Sequence, residues 1–193
     1  MNKKINLQIG VLSLIVVAAA FSRMIPHLPN LSPIGAVGLF GAAHFAKRWQ
    51  AVLIPLAAVW LSDLFLNNVV YAAYTEGFVW FYGGFQWQYI SYILIAFFGM
   101  AVFSKKINAK NVLFGALGAS LIFFLLSNFG VFMSGTMYPM NAAGLIACYT
   151  AAIPFAQATL MGNLVFGALL FGGYYLLQNK NEFFKLDHLT YSR

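Results

Sequence analysis

Few side chains in this chain can bind a solute, and most of them lie near the ends of apolar segments. Residues 23–33 hold an arginine, a histidine and an asparagine among three prolines, a pattern that excludes a regular helix. Carboxylate, amide and imidazole groups form hydrogen bonds, and an imidazole can also ligate a metal. The candidate solute-binding residues are His27, Asn30, Asp63, Asn67, Trp80, Tyr82, Trp87, Asn128, Tyr138 and Asn163.

The composition indicates an integral membrane protein. The 193 residues are 62% hydrophobic and only 8% charged, whereas soluble domains carry about 25% charged residues. We therefore predict one all-α transmembrane domain over residues 1–178 and a cytoplasmic tail over residues 179–193. The net charge of +7 does not predict a nucleic-acid partner, because the basic residues form short clusters between apolar segments.

The apolar segments predict six transmembrane helices and one extra short helix. The extra helix, Asn141–Ile153, is too short to span comfortably and ends before Pro154, so we expect it to be interfacial or folded back. The second span is short and glycine-rich, and could be tilted or partly re-entrant. The six predicted spans are residues 7–24, 33–46, 49–66, 87–103, 111–131 and 157–178.

The basic residues orient this arrangement. With six spans, ten of the 11 lysines and arginines fall on one side, and Arg23 alone falls on the other. Such asymmetry predicts that both termini are cytoplasmic. A seventh crossing at residues 141–153 would move the C-terminal basic residues outside, so the charges favour six.

Several polar residues are predicted to lie at one depth. By helical rise, Asp63, Asn128 and Asn163 lie roughly 21, 26 and 22 Å from the cytoplasmic ends of their spans. These depths fall in the outer third of a bilayer core about 30 Å thick. A polar cup open to the outside fits this pattern better than a channel, which needs polar groups at every depth.

Each of these residues also has a purely structural interpretation. Arg23 and Asp63 could simply neutralise each other as an ion pair, and His27 could be a solvated loop residue. Asn128 and Asn163 could form interhelical hydrogen bonds. Cys148 is typical of a small buried apolar residue.

The connection over residues 71–87 is rich in aromatic side chains. Part of this is the ordinary aromatic belt at a membrane surface. The alternative is a cap over a planar or apolar ligand, for which Trp80, Tyr82 and Trp87 are the candidates. Both interpretations stay open at this point.

These motifs resemble a family of uncharacterised bacterial inner-membrane proteins described as transport proteins. The resemblance covers about residues 20–172 and implies a multi-pass protein of the bacterial inner membrane. Its signatures here are Arg23-x-x-Pro26-His27-x-Pro29-Asn30-x-x-Pro33, Leu61-Ser62-Asp63, Ser127-Asn128-Phe129-Gly130-Val131, Met137-Tyr138-Pro139 and Ala147-Cys148-Tyr149.

The predicted topology is also similar to the S-components of energy-coupling factor (ECF) vitamin transporters. This likeness implies capture of a vitamin-sized solute from outside, with an ECF-type transmembrane and ATPase module as partner beside the membrane lipids. Cobalamin is the leading substrate, with His27 or Cys148 as a possible cobalt ligand. We expect no resident metal or cofactor and no enzymatic activity.

Two other functions remain as alternatives. One is a membrane enzyme in which His27 and Asp63 act on a lipid-linked substrate. The other is a scaffold without transport activity, which predicts no ligand-sized cavity in the outer half of the bundle.

Overall fold

The structure is a computed structural model that describes residues 3–25 and 30–180, and side chains from residue 7 onward. This part of the chain is helical and contains no β-strand. His27 and the tail beyond Lys180 lie outside the described residues. The helices are α1 (Lys3–Phe21), α2 (Ile34–His44), α3 (Arg48–Phe65), α4 (Phe85–Val102), α5 (Ala109–Met133), α6 (Ala142–Gly167) and α7 (Gly173–Lys180).

Five helical runs in the described residues are long and apolar enough to cross a membrane. They cover residues 7–24, 48–70, 85–102, 109–133 and 142–180. Length and composition therefore support the predicted all-α membrane class. The six-span, S-component-like topology is not reproduced in detail, because two of its elements differ.

The first difference is the second predicted span, residues 33–46. The structure has the 11-residue helix α2 there, which rises only about 16 Å. This is roughly half of a bilayer core. Even so, ten of its 11 residues are buried, and it contacts α1, α3, α4, α5 and α6. A half-length helix thus forms the centre of the bundle.

The second difference is the separate short helix predicted over Asn141–Ile153, which is wrong. Helix α6 begins at Ala142, continues through Pro154, and joins α7 by a π-helical turn at Ala168–Gly172. The whole run has 39 residues and a length of about 58 Å. Breaking a helix at membrane depth would expose more backbone polar groups than one proline removes, so the helix continues.

A similar π-helical turn, Leu66–Val70, extends α3 beyond its predicted end. The added turn matters for the site described below, because it carries Leu66 and Val70 to the cavity wall.

Small residues allow α2 to lie close to its neighbours. A Cβ added to Gly41 would lie 2.6 Å from Pro55 Cγ of α3, and one added to Gly99 would lie 2.8 Å from Ala42 Cβ. Such contacts require glycine, as is usual where membrane helices approach closely. The large core residues Leu39 and Phe40 of α2 are almost fully buried among the surrounding helices.

Candidate solute-binding cavity

A polar cavity of about 590 Å³ lies beyond the N-terminus of α2. The short helix leaves this space, since its neighbours continue past the residue where it begins. The residues that line the cavity come from helices α2, α4, α5 and α6 and from the segments that follow α1 and α3. They include Arg23, Asn30, Ser32, Ile34, Gly35, Leu66, Val70, Tyr71, Gln88, Tyr92, Ile95, Phe123, Thr159 and Asn163.

The cavity lies towards the end of the bundle opposite the basic loops. Lys47 and Arg48 mark the start of α3, whereas the cavity is lined near the far end of that helical run by Leu66 and Val70. On α4, the lining residues Ile95 and Gln88 stand roughly 10 and 21 Å from the basic end. The cavity therefore reaches from the end of the bundle opposite the basic loops to about its middle.

Arg23 and Asp63 form an ion pair beside this cavity. Arg23 Nη1 donates to Asp63 Oδ1 at 2.5 Å and to Ser62 Oγ at 3.1 Å. Tyr89 donates its hydroxyl to the other carboxylate oxygen, Oδ2, at 2.8 Å. Both oxygens of the buried carboxylate are thus satisfied, as a charge at this depth requires. Arg23 lines the cavity, whereas Asp63 is not among the lining residues and holds the guanidinium in place through the ion pair.

Gln88 is the centre of a second hydrogen-bond group. Its Oε1 accepts from the hydroxyls of Tyr82, at 2.9 Å, and Tyr92, at 3.1 Å. Burial, with a contribution from the carboxylate of Asp63, raises the pKa of the Tyr82 phenol, so it remains a proton donor. Since Oε1 is occupied, the Nε2 amide group is the end of Gln88 left for a ligand.

The sequence-based site did not include Gln88 or Tyr92. The available signal was their spacing, because Gln88, Tyr92 and Ile95 follow an i, i+4, i+7 pattern on one helix face.

Asn163 forms part of the inner wall. Its side chain is 2% exposed, and its Nδ2 donates to Ser120 Oγ of α5 at 2.8 Å. Its Oδ1 lies over the Cα of Gly35, where an added Cβ would collide with it. Asn163 thus forms an interhelical hydrogen bond and also lies in the cavity wall.

The segment before α2 is held against α6 on the same side. An added Cβ at Gly162 would lie 2.8 Å from both the backbone nitrogen and the backbone oxygen of Ser32. Asn30 has a positive φ of 64°, which asparagine tolerates, and its carbonyl accepts from Ser32 N–H at 2.9 Å. This turn directs Asn30 and Ser32 to the cavity.

The remaining predicted site residues lie elsewhere. Asn67 and Asn128 donate to carbonyls one helical turn earlier, those of Asp63 and Phe124. Tyr138 is half-buried in the connection between α5 and α6 and is not among the described lining residues. For Asn67 and Asn128, the depth was predicted from the position along the helix, but the direction of the side chain around the helix axis was not.

Most aromatic side chains of the connection over residues 71–87 are exposed at the protein surface. Asn68 fixes it by accepting from Val79 N–H at 2.7 Å and donating to Val79 C=O at 2.9 Å. Trp80 is 60% exposed and stacks on Trp60 of α3, while Trp87 packs edge-on against Phe129. Neither tryptophan lines the cavity, so this geometry favours the belt over the cap.

The described residues offer no cluster of three or more histidine, cysteine or acidic side chains for a metal ion. Cys148 is buried on α6, donates its S–H towards the carbonyl of Asn128 at 3.4 Å, and is not among the lining residues. It therefore lies away from where it could ligate the cobalt of a corrinoid in this cavity.

A family model covers nearly the whole chain. Residues 3–186 match the family of unknown function DUF6580. The chain belongs to this family. No curated protein and no solved structure matches it. The DUF6580 match agrees with the predicted uncharacterised family, and it carries no statement about transport.

Proposed function

We propose that this DUF6580 protein is a membrane-embedded solute-binding protein that captures a vitamin-sized organic solute from the external side for uptake. The observation that carries the proposal is the polar cavity of about 590 Å³. This volume lies within the range of about 300–1,000 Å³ typical of pockets for small organic ligands.

The shape of the lining supports binding over conduction or scaffolding. Polar side chains contribute to its walls, whereas Ile34, Ile95 and Phe123 contribute on the side facing the apolar core. A channel needs polar groups through the full depth of the bundle. A pure scaffold has no need of a ligand-sized cavity, so the cavity favours a binding protein.

The volume favours a solute smaller than cobalamin. A corrinoid ring with its nucleotide side arm is much larger than the drug-sized molecules that fill pockets of this volume. Cobalamin thus becomes one compound to test among smaller vitamin-sized solutes. Neither Cys148 nor another described histidine or cysteine contributes to the lining.

We further propose that the protein lies in the bacterial inner membrane, with both termini cytoplasmic and the cavity facing outward. The basic loops support this orientation, and the cavity lies at the opposite end of the bundle. An ECF-type ATPase module as partner remains a prediction of the topological likeness.

Cysteine labelling tests the orientation. In a Cys148→Ala background, Met137→Cys should react with a membrane-impermeant maleimide in intact cells, because Met137 is 71% exposed in the connection between α5 and α6. The matched variant Ile107→Cys, 44% exposed beside the basic loop, should react only after the cells are opened. The reverse pattern would overturn the orientation.

Recovery of bound small molecules tests the function. Protein purified in nanodiscs is incubated with a bacterial metabolite extract, washed, denatured and analysed by mass spectrometry. We expect at least one organic solute to be retained at near-stoichiometric amount, and a cavity-filling Val70→Trp variant to lose at least nine-tenths of it. The control is Val69→Trp, since Val69 is also surface-exposed, at 59% against 46% for Val70, but does not line the cavity.

If no solute is retained, or if both tryptophan variants retain it equally, the cavity is not a solute site. Cobalamin is tested in the same assay. If the wild type retains it and the Val70→Trp variant does not, cobalamin becomes the leading substrate again.

A further inference from the structure

We propose that the solute carries a single carboxylate, which binds between Arg23, Gln88 and the N-terminus of α2. This inference rests on the proposed function and names the chemical class of the ligand. It follows from which hydrogen-bonding groups of the cavity are already occupied and which are open.

Arg23 keeps most of its donors available. Both of its hydrogen bonds, to Ser62 and Asp63, use Nη1. A guanidinium has five N–H groups, so the three on Nε and Nη2 have no partner within the described residues. The Arg23 side chain is 18% exposed, and Arg23 lines the cavity. One edge of a planar cation therefore remains for a ligand.

The carboxylate of Asp63 does not cancel the attraction of this guanidinium edge for an anion. The carboxylate contacts Nη1, and its second oxygen is engaged by Tyr89. A ligand carboxylate bound at Nε and Nη2 would lie nearer to the guanidinium than to Asp63, so attraction exceeds repulsion. Two parallel N–H bonds from arginine match the geometry of a carboxylate.

Helix α2 directs further donors to the same space. Within the described residues, no side chain caps its N-terminus. The first backbone N–H of this helix that has a hydrogen-bond partner is that of Val37, which donates to Pro33 C=O. The backbone N–H groups of Ile34, Gly35 and Ala36, which precede it, have no hydrogen-bond partner within the described residues. Ile34 and Gly35 line the cavity, and the positive end of a helix dipole favours an anion.

Two side chains complete this donor-rich surface. The hydroxyl of Ser32 is buried without a hydrogen-bond partner among the described residues, although Ser32 lines the cavity. An unpaired buried hydroxyl is costly unless a ligand uses it. Gln88 presents its amide N–H groups, because its oxygen is occupied by two tyrosines. An acceptor-rich anion fits these groups.

The charge balance favours one negative charge over two. Arg23 is the only basic residue among the described lining residues, and Asp63 already offsets it. A phosphate monoester dianion would leave the site strongly negative at membrane depth, where an unbalanced charge is costly. A single carboxylate is balanced in part by the helix dipole.

Matched probes test the proposal. Binding of benzoate, benzamide and phenyl phosphate to the full-length protein in nanodiscs is measured at pH 8 by saturation-transfer NMR titration. We expect benzoate to bind at least tenfold more tightly than both other probes. The wild-type comparison needs no variant, so it holds even if a variant fails to fold.

A charge variant locates the effect. Gln88→Glu keeps an oxygen for both tyrosine hydroxyls and replaces the amide donors with a second carboxylate. It should weaken benzoate binding at least tenfold and change benzamide binding less than threefold. The matched control is Gln86→Glu on the exposed side of the same helix, which should leave both affinities unchanged.

Three results would overturn the inference: benzamide binding as tightly as benzoate, phenyl phosphate binding most tightly, or none of the three binding. The metabolite experiment separates this failure from that of the proposed function. A retained neutral solute that depends on Val70 would keep the cavity as a binding site and remove only its carboxylate specificity.

Discussion

The Arg23→Ala variant is expected to lose about 3–5 kcal/mol of unfolding free energy. Removing the guanidinium leaves the buried Asp63 carboxylate with the Tyr89 hydroxyl as its one polar side-chain partner among the described residues. The side chain of Asp63 is 6% exposed and that of Arg23 18%, so water compensates little of the loss. Asp63→Ala should cost a similar amount, because it leaves an unpaired cation at membrane depth.

Equilibrium unfolding in mixed micelles measures these losses. The control variants Glu76→Ala and Lys110→Ala remove exposed charges and should change the free energy by no more than about 0.5 kcal/mol. The double variant Arg23→Met/Asp63→Leu should recover much of the loss, because a well-packed apolar pair can replace a buried ion pair. Single variants as stable as the controls would show that the pair is not coupled.

The Gly162→Ala variant is expected to disturb the cavity through the backbone. Its new Cβ would lie 2.8 Å from the Ser32 nitrogen and oxygen, and a backbone segment cannot move aside as a side-chain end can. Overpacking of this kind costs about 1–3 kcal/mol. The segment that carries Asn30 and Ser32 must shift, so we expect at least a tenfold loss of solute affinity together with a lower melting temperature.

The matched control is Gly172→Ala in the same helical run, where an added Cβ meets no atom within 4 Å. It should keep solute affinity and be neutral or slightly stabilising, since alanine favours a helix more than glycine. If Gly162→Ala bound solute like Gly172→Ala, the segment before α2 would have no part in the site.

The sequence pattern predicts those helices whose formation depends on their own residues rather than on contacts with other helices. The long apolar runs predict the first four membrane-length helices and the second half of the fifth, because a backbone segment that crosses a bilayer satisfies its hydrogen bonds within a helix. The prediction that a helix ends before Pro154 was wrong, because Pro154 lies inside α6. The tendency of proline to end a helix is weaker at membrane depth. The shortness of α2 was predicted from residues 33–46, but its burial among five neighbouring helices was not, because a run of glycine and alanine does not show which helices will surround it.

In the candidate site, too, some features were predicted from the sequence and others depend on contacts between helices. Helical rise gives depth, and Asn128 and Asn163 were selected by depth alone. Asn163 lines the cavity, while Asn128 bonds to its own helix, because depth says nothing about direction around the helix axis. Gln88 was missed because its role depends on Tyr82 and Tyr92, which fix its amide group.

The central claim, that the cavity beyond α2 holds an organic solute, is tested most directly by a density map. The protein in nanodiscs, with a bound antibody fragment to aid alignment, is imaged after incubation with metabolite extract. We predict compact non-protein density enclosed by Arg23, Gln88 and Asn163, and its absence from the Val70→Trp variant. An empty cavity, or one filled by an acyl chain continuous with the bilayer in both proteins, would contradict the claim.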